Sequence, residues 1–231
     1  MELSLEVIRK NVEDTLSRIE AARVRAGLGH EVRIVAATKY VTPEGMGVVR
    51  EAGIRVVGEN RSDELREKWQ RYRDDFEFHF IGHVQRRKVS EILPCVRMIH
   101  SVDSLRLVQA LETRAESPID VLLQVNISGE ESKYGILAAD AAAFLREAAE
   151  YEKVRFCGLM TMAPFVSDPE EARPVFRGLR ELRDRLAPLF APRFDITHLS
   201  MGMSNDYEVA VEEGATLVRL GSTLFSGSEG G

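Results

Sequence analysis

Eight short runs of β-branched and aliphatic residues punctuate this chain, at 32–38, 54–58, 78–82, 96–100, 119–127, 154–160, 195–200 and 216–220, and amphipathic helical stretches separate them. Strands joined through helices must run parallel, because a hairpin turn cannot hold a helix. Eight such units match a (β/α)8 barrel, which often reaches this length as one domain. A doubly wound open sheet is the alternative, but it has fewer strands as a rule and does not need a helix ahead of the first one. That extra helix is written into Leu5, Ile8, Val12, Leu16 and Ile19, whose spacing gives one apolar stripe over about 3–26 before Gly27 and Gly29 end it. Later helices open on first-turn residues: Pro43 with Glu44, Asp103 with Ser104, and Asp168 with Pro169 and Glu170. No repeat or linker breaks the pattern, so residues 1–231 are read as a single domain, an α/β TIM barrel with an added N-terminal helix.

Charge narrows the function. A net charge of -6 opposes the nucleic-acid backbone, and the only basic cluster is Arg86, Arg87 and Lys88, read either as a solvated helix start or as an anion site. Two cysteines, Cys95 and Cys157, cannot build a disulfide framework and suit a reducing compartment. Charges at Glu2, Glu6, Arg9 and Lys10 interrupt the first helix, so it does not read as a signal peptide, and no run reaches membrane-spanning length. The expected setting is the cytoplasm.

In a barrel, the loops after the strands meet at one face, so chemistry is sought at the strand ends. There stand Lys39; Glu59 and Asn60; His83; His100 and Ser101; Asn126; Met160 and Thr161; Ser200; and Arg219 with Gly221 and Ser222. Alternation along the last strand turns Leu217 and Arg219 inward. An inward arginine needs an acceptor, which could be a ligand atom or Glu59. "SMGMSND" and "GSTLFSG", after strands seven and eight, are glycine-bearing turns suited to a phosphate, although Ser204 or Asn205 could simply cap a helix. Lys39, at the end of an apolar strand and two residues beyond inward Ala37, has a place where partial desolvation would favour the neutral amine that attacks aldehydes; a plain salt bridge is the alternative. A lysine, a phosphate cradle and an inward arginine together fit the aldehyde, phosphate and ring nitrogen of pyridoxal phosphate. His79 and His83, four apart on a strand and so roughly 13 Å apart, are too distant to share a metal and are read as packing and rim residues.

The strings "GEN", "HFIGHVQ", "IHSVDS", "LLQVNISGEESKYGI", "GLMTM" and "LSMGMSNDYEVAVEEGATLVRLGS", in this order, resemble the YggS-type pyridoxal phosphate homeostasis proteins, also called proline synthetase co-transcribed homologues. The chain departs from that family's pattern in "TKYVTPE" after the lysine and in Arg87 after "GHVQ". The resemblance implies a monomeric barrel like the N-terminal barrel of alanine racemase, with the cofactor held as a Schiff base on Lys39. It further implies Arg219 at the pyridine nitrogen, Ser204, Gly221 and Ser222 at the phosphate, and Asn60 and Met203 around the ring. Lys133 is a second lysine that could contact a transferred ligand or carry the Schiff base instead.

A cofactor does not make an enzyme. An arginine at the pyridine nitrogen leaves that nitrogen unprotonated and the ring a weak electron sink, and only ten residues follow Gly221 to bring a second base. The expectation is a homeostasis protein that holds pyridoxal phosphate and passes it to apoenzymes, with no catalytic residue and no metal. A minimal amino-acid racemase is the alternative, and a Schiff-base lysine aldolase acting on sugar phosphates is a third reading.

Overall fold

The computed structural model describes residues 3–130 and 134–227. All eight anticipated strands form: β1 (Arg33–Ala37), β2 (Val56–Glu59), β3 (Glu77–Phe80), β4 (Met98–Val102), β5 (Ile119–Asn126), β7 (Val154–Met160), β8 (His198–Ser200) and β9 (Leu217–Leu220). A two-residue strand the sequence did not signal, β6 (Ile136–Leu137), adds to the edge of β5. Every pairing is parallel, in the order β4-β3-β2-β1-β9-β8-β7-β5, and β4 pairs with β5 to close the barrel. The open-sheet alternative is thereby excluded.

The helices α2 (Met46–Glu51), α3 (Ser62–Tyr72), α4 (Val89–Ile92), α5 (Leu105–Arg114), α6 (Ala141–Ala148), α7 (Arg173–Phe190), α8 (Tyr207–Glu212) and α9 (Ser222–Phe225) follow the barrel strands in turn. The added helix is α1 (Leu5–Arg25), ended by Gly27 at φ 65°. Ile8 and Ile19 of the anticipated stripe are buried with Thr15 and Ala22, and Leu5 and Val12 pack against the same core, whereas Leu16 points outward at 48% exposure and Thr15 takes its place on the buried face. The helix sits against α8 and α9: Asn11 Nδ2 donates to the carbonyls of Leu224 and Ser226 at 3.0 and 3.1 Å, and Arg25 pairs with Glu212 at 2.7 Å.

Two cores result from strand alternation. Residues such as Val57, Phe80, Leu123 and Leu220 face outward into the main core under the helices. Val35, Val56, Met98, Leu122, Met160 and Leu217 face inward and fill the barrel. Arg219 takes the next inward position of β9 after Leu217, paired in register with the inward Val35 of β1.

Candidate functional site

Lys39 stands two residues beyond the end of β1, at the mouth. Its side chain is exposed, and Nζ lies 4.8 Å from the ring centroid of Tyr40. The desolvation anticipated from the apolar strand is therefore absent: burial ends at Thr38, where the chain leaves the sheet. Behind the lysine, on the helix side, the backbone is clamped. Lys68 of α3, 2% exposed, donates to the Thr38 carbonyl at 2.7 Å and to Glu59 Oε1 at 2.7 Å, and the Thr38 hydroxyl donates to the same Oε1 at 2.5 Å. Glu59 is wholly buried; burial pushes its carboxyl up, against the pull of Lys68 and Thr38, and Oε2 has no partner.

The turns after β8 and β9 meet at Ser204. Its Oγ accepts from the backbone N–H groups of Gly221 and Thr223, both at 3.2 Å, and its carbonyl accepts from the Thr223 hydroxyl at 3.3 Å. A hydroxyl oxygen that accepts twice still has its own proton to donate. The first turn is drawn tight by Asp206, whose Oδ1 accepts from the Met203 N–H at 2.6 Å; burial pushes this carboxyl up. Gly202 makes the approach possible: at φ 90°, a Cβ there would stand 2.6 Å from that of Ala210. Gly221 lies beside Ala37, so this cradle borders the strand that carries Lys39.

Arg219 points into the barrel as alternation requires. It donates from Nη1 to Ser200 Oγ at 2.6 Å and from Nη2 to the Thr161 carbonyl at 2.9 Å. Burial pushes its guanidinium down to about 10, so it stays charged at neutral pH. Glu59 is not its partner. Val56 and Gly58 take the inward positions of β2, which sends Glu59 outward to Lys68.

Of the remaining anticipated residues, Met203 is half-buried in the first turn, Ser222 is exposed at the start of α9, and Asn60 is exposed at the end of β2. Asn60 borders an open cavity of about 450 Å³ with His83, Arg87 and Lys88. We place the candidate site at β1, β8 and β9 instead, because there, alone among the described residues, a buried guanidinium and two stapled turns converge. Arg86–Lys88 forms a helical turn in which Lys88 pairs with Glu91 at 2.8 Å and Arg87 Nε donates to Gln85 at 3.1 Å. His83 is a rim residue, stacked on Tyr134 with ring centroids 4.6 Å apart. Asn126 closes its own turn, its Oδ1 accepting from Gly129 N–H at 3.0 Å. Lys133 lies outside the described residues.

Two features escaped the sequence reading. Lys68 shares the buried face of α3 with Ser62 and Leu65, and a lysine at that spacing from Leu65 was the available signal. His79 is not a packing residue: its Nδ1 lies 2.9 Å from His100 Nε2, inside the barrel.

This barrel, with a lysine past β1 and a serine-stapled cradle after β8 and β9, falls in the class of the alanine racemase N-terminal domain, whose family model matches residues 10–229. The pyridoxal phosphate homeostasis protein of Aquifex aeolicus is 42% identical over 215 residues, covering 91% of this chain and 93% of that one. PipY of Synechococcus elongatus, solved with pyridoxal phosphate bound, superposes with a TM-score of 0.81 at 30% identity, over 95% of this chain and all of that one. The chain belongs to the pyridoxal phosphate homeostasis protein family. The D-threonine aldolase of Filomicrobium marinum shares the fold, with a TM-score of 0.71 at 18% identity, over 96% of this chain and 61% of that one.

Proposed function

We propose that this protein binds pyridoxal phosphate as a Schiff base on Lys39 and serves cytoplasmic vitamin B6 homeostasis as a monomeric carrier, handing the cofactor to apoenzymes without robust turnover of its own. The convergence of the β8 and β9 turns on Ser204, beside the buried Arg219, carries the reading. The donor set suits the ligand. Ser204 has a hydroxyl proton to give, Gly221 keeps the backbone open, and Ser222 adds a second hydroxyl at the start of α9 for a phosphate. Arg219 uses two of its five N–H groups on Ser200 and Thr161, which leaves donors for a ring nitrogen. Asn60 and Met203 border the mouth, and pyridoxal phosphate supplies the aldehyde that condenses with a lysine.

What this chain's residues offer supports the carrier role. A guanidinium at the ring nitrogen donates without surrendering a proton, so it holds the ring and leaves it a poor electron sink. The exposed Lys39 amine is open to exchange with solvent and partners.

The test is an absorption spectrum of purified protein with pyridoxal phosphate, before and after borohydride. The expected visible band disappears on reduction, and peptide mapping finds the modification on Lys39. Modification of Lys133 instead would overturn the assignment to Lys39. Steady racemisation of an amino acid, abolished in Lys39→Ala, would replace the carrier by a minimal racemase. Protein that takes up no pyridoxal phosphate would favour the sugar-phosphate aldolase reading.

A further inference from the structure

A column of buried polar side chains runs down the barrel axis through its apolar filling. Arg219 Nη1 donates to Ser200 Oγ at 2.6 Å; Ser200 Oγ lies 2.9 Å from His100 Nδ1; His100 Nε2 lies 2.9 Å from His79 Nδ1; His79 Nε2 lies 2.8 Å from Glu77 Oε1. Arg33 closes the foot, pairing with Glu77 Oε2 at 3.0 Å. Ser200, His100 and His79 are wholly inaccessible to solvent. A barrel needs only volume at these positions, which branched aliphatic residues supply in the neighbouring ones.

The two ends fix the direction of every bond between them. Arginine can only donate, and the Glu77 carboxylate, held down to about 2 by His79 and Arg33, can only accept. Burial lowers both imidazoles, at His79 against the pull of Glu77 and with the help of Arg33 and Arg97, and at His100 with the help of Arg219 and His198, so both are neutral at neutral pH. His79 must then give its one proton, on Nε2, to Glu77, so its bare Nδ1 accepts from His100 Nε2–H. His100 Nδ1 is in turn bare and accepts the Ser200 hydroxyl proton. That leaves Ser200 Oγ as a pure acceptor toward Arg219. Each link requires the next, and none can turn without leaving a buried group unpaired.

We infer that Ser200, His100 and His79 are positioning residues for Arg219, a one-way column that fixes the guanidinium from below and so sets how its remaining donors meet a ligand at the mouth. The inference rests on the pyridoxal phosphate reading for the identity of that ligand, and its test separates the two. Nitrogen-15 NMR of the cofactor-free protein should show protonated Nε2 and bare Nδ1 on both His79 and His100 at neutral pH, together with a slowly exchanging Arg219 guanidinium signal. That signal should vanish in His79→Phe and in Ser200→Ala. Ser200→Ala removes a single oxygen atom and is the milder variant should His79→Phe fail to fold. Either variant should weaken pyridoxal phosphate binding by about fivefold, and the double variant by no more than Ser200→Ala alone. An Nδ1 proton on either imidazole, an Arg219 signal unchanged in Ser200→Ala, or losses that multiply in the double variant would overturn the column. Wild-type protein that binds no pyridoxal phosphate would overturn the cofactor reading, while the resonances would still decide the column.

Discussion

Two buried polar groups lie on opposite faces of the same sheet, and they are built differently. Inside, Ser200, His100 and His79 are uncharged and pass hydrogen bonds in a line between a cation and an anion at the ends. Outside, Lys68 and Glu59 face each other at 2.7 Å with Thr38 between them, and one carboxylate oxygen is left without a partner. The inner group is satisfied link by link and steers a side chain, Arg219. The outer one spends a buried charge pair to hold a piece of backbone, the Thr38 carbonyl immediately before Lys39. A buried pair seldom stabilises more than apolar packing would, so its presence points to placement of the lysine.

The largest expected effect breaks the outer group. Lys68→Ala strands the Glu59 carboxylate and should cost about 3–5 kcal/mol in urea unfolding, whereas the double change Lys68→Met with Glu59→Met should stay within about 1 kcal/mol of wild type yet form the Lys39 adduct poorly. An equal loss in both would show that the pair acts through stability alone.

The inner group is sharpened by acid. Burial lowers the pKa of both histidines in the fold below the ordinary 6.5 at which the unfolded chain takes up their protons. The unfolded chain thus binds more protons below that pH, and stability falls as pH drops, by at most about 2 kcal/mol per histidine at pH 5. Glu59, Asp103 and Asp206, pushed up by burial, act with the opposite sign at lower pH, so the comparison is with His100→Gln, whose stability should change less between pH 7 and 5. A parallel pH profile in that variant would mean that His100 takes up its proton as readily in the fold as out of it.

In the turns after β8 and β9, which belong to neither group, Ser204→Ala deprives two backbone N–H groups of their acceptor and should cost about 1–2 kcal/mol with weaker pyridoxal phosphate binding by titration. The surface supplies the baseline: Arg61 pairs with Asp63 at 2.8 Å but is 66% exposed, so Arg61→Ala should leave the unfolding midpoint where it is in wild type by the same measurement.

The barrel was legible because each strand is a compact aliphatic run and each helix an amphipathic one. Both are local patterns. The meeting of Ser204 with Gly221 was legible for a related reason, since the barrel's closure places consecutive strand ends side by side, and alternation alone sent Arg219 inward. What stayed hidden was pairing between distant side chains: His79 with His100 depends on the stagger of β3 against β4, and Glu59 with Lys68 on the rotation of α3 over β2. Lys39 was misjudged in one respect, because its exposure depends on how the chain turns after β1 and not on the strand's composition.

The seating of α1 on α8 and α9 reaches as far as the anion cradle. Asn11 and Arg25 of α1 hold the two helices that start just past the Ser204 and Gly221 turns, so the helix added ahead of the barrel braces those turns from outside.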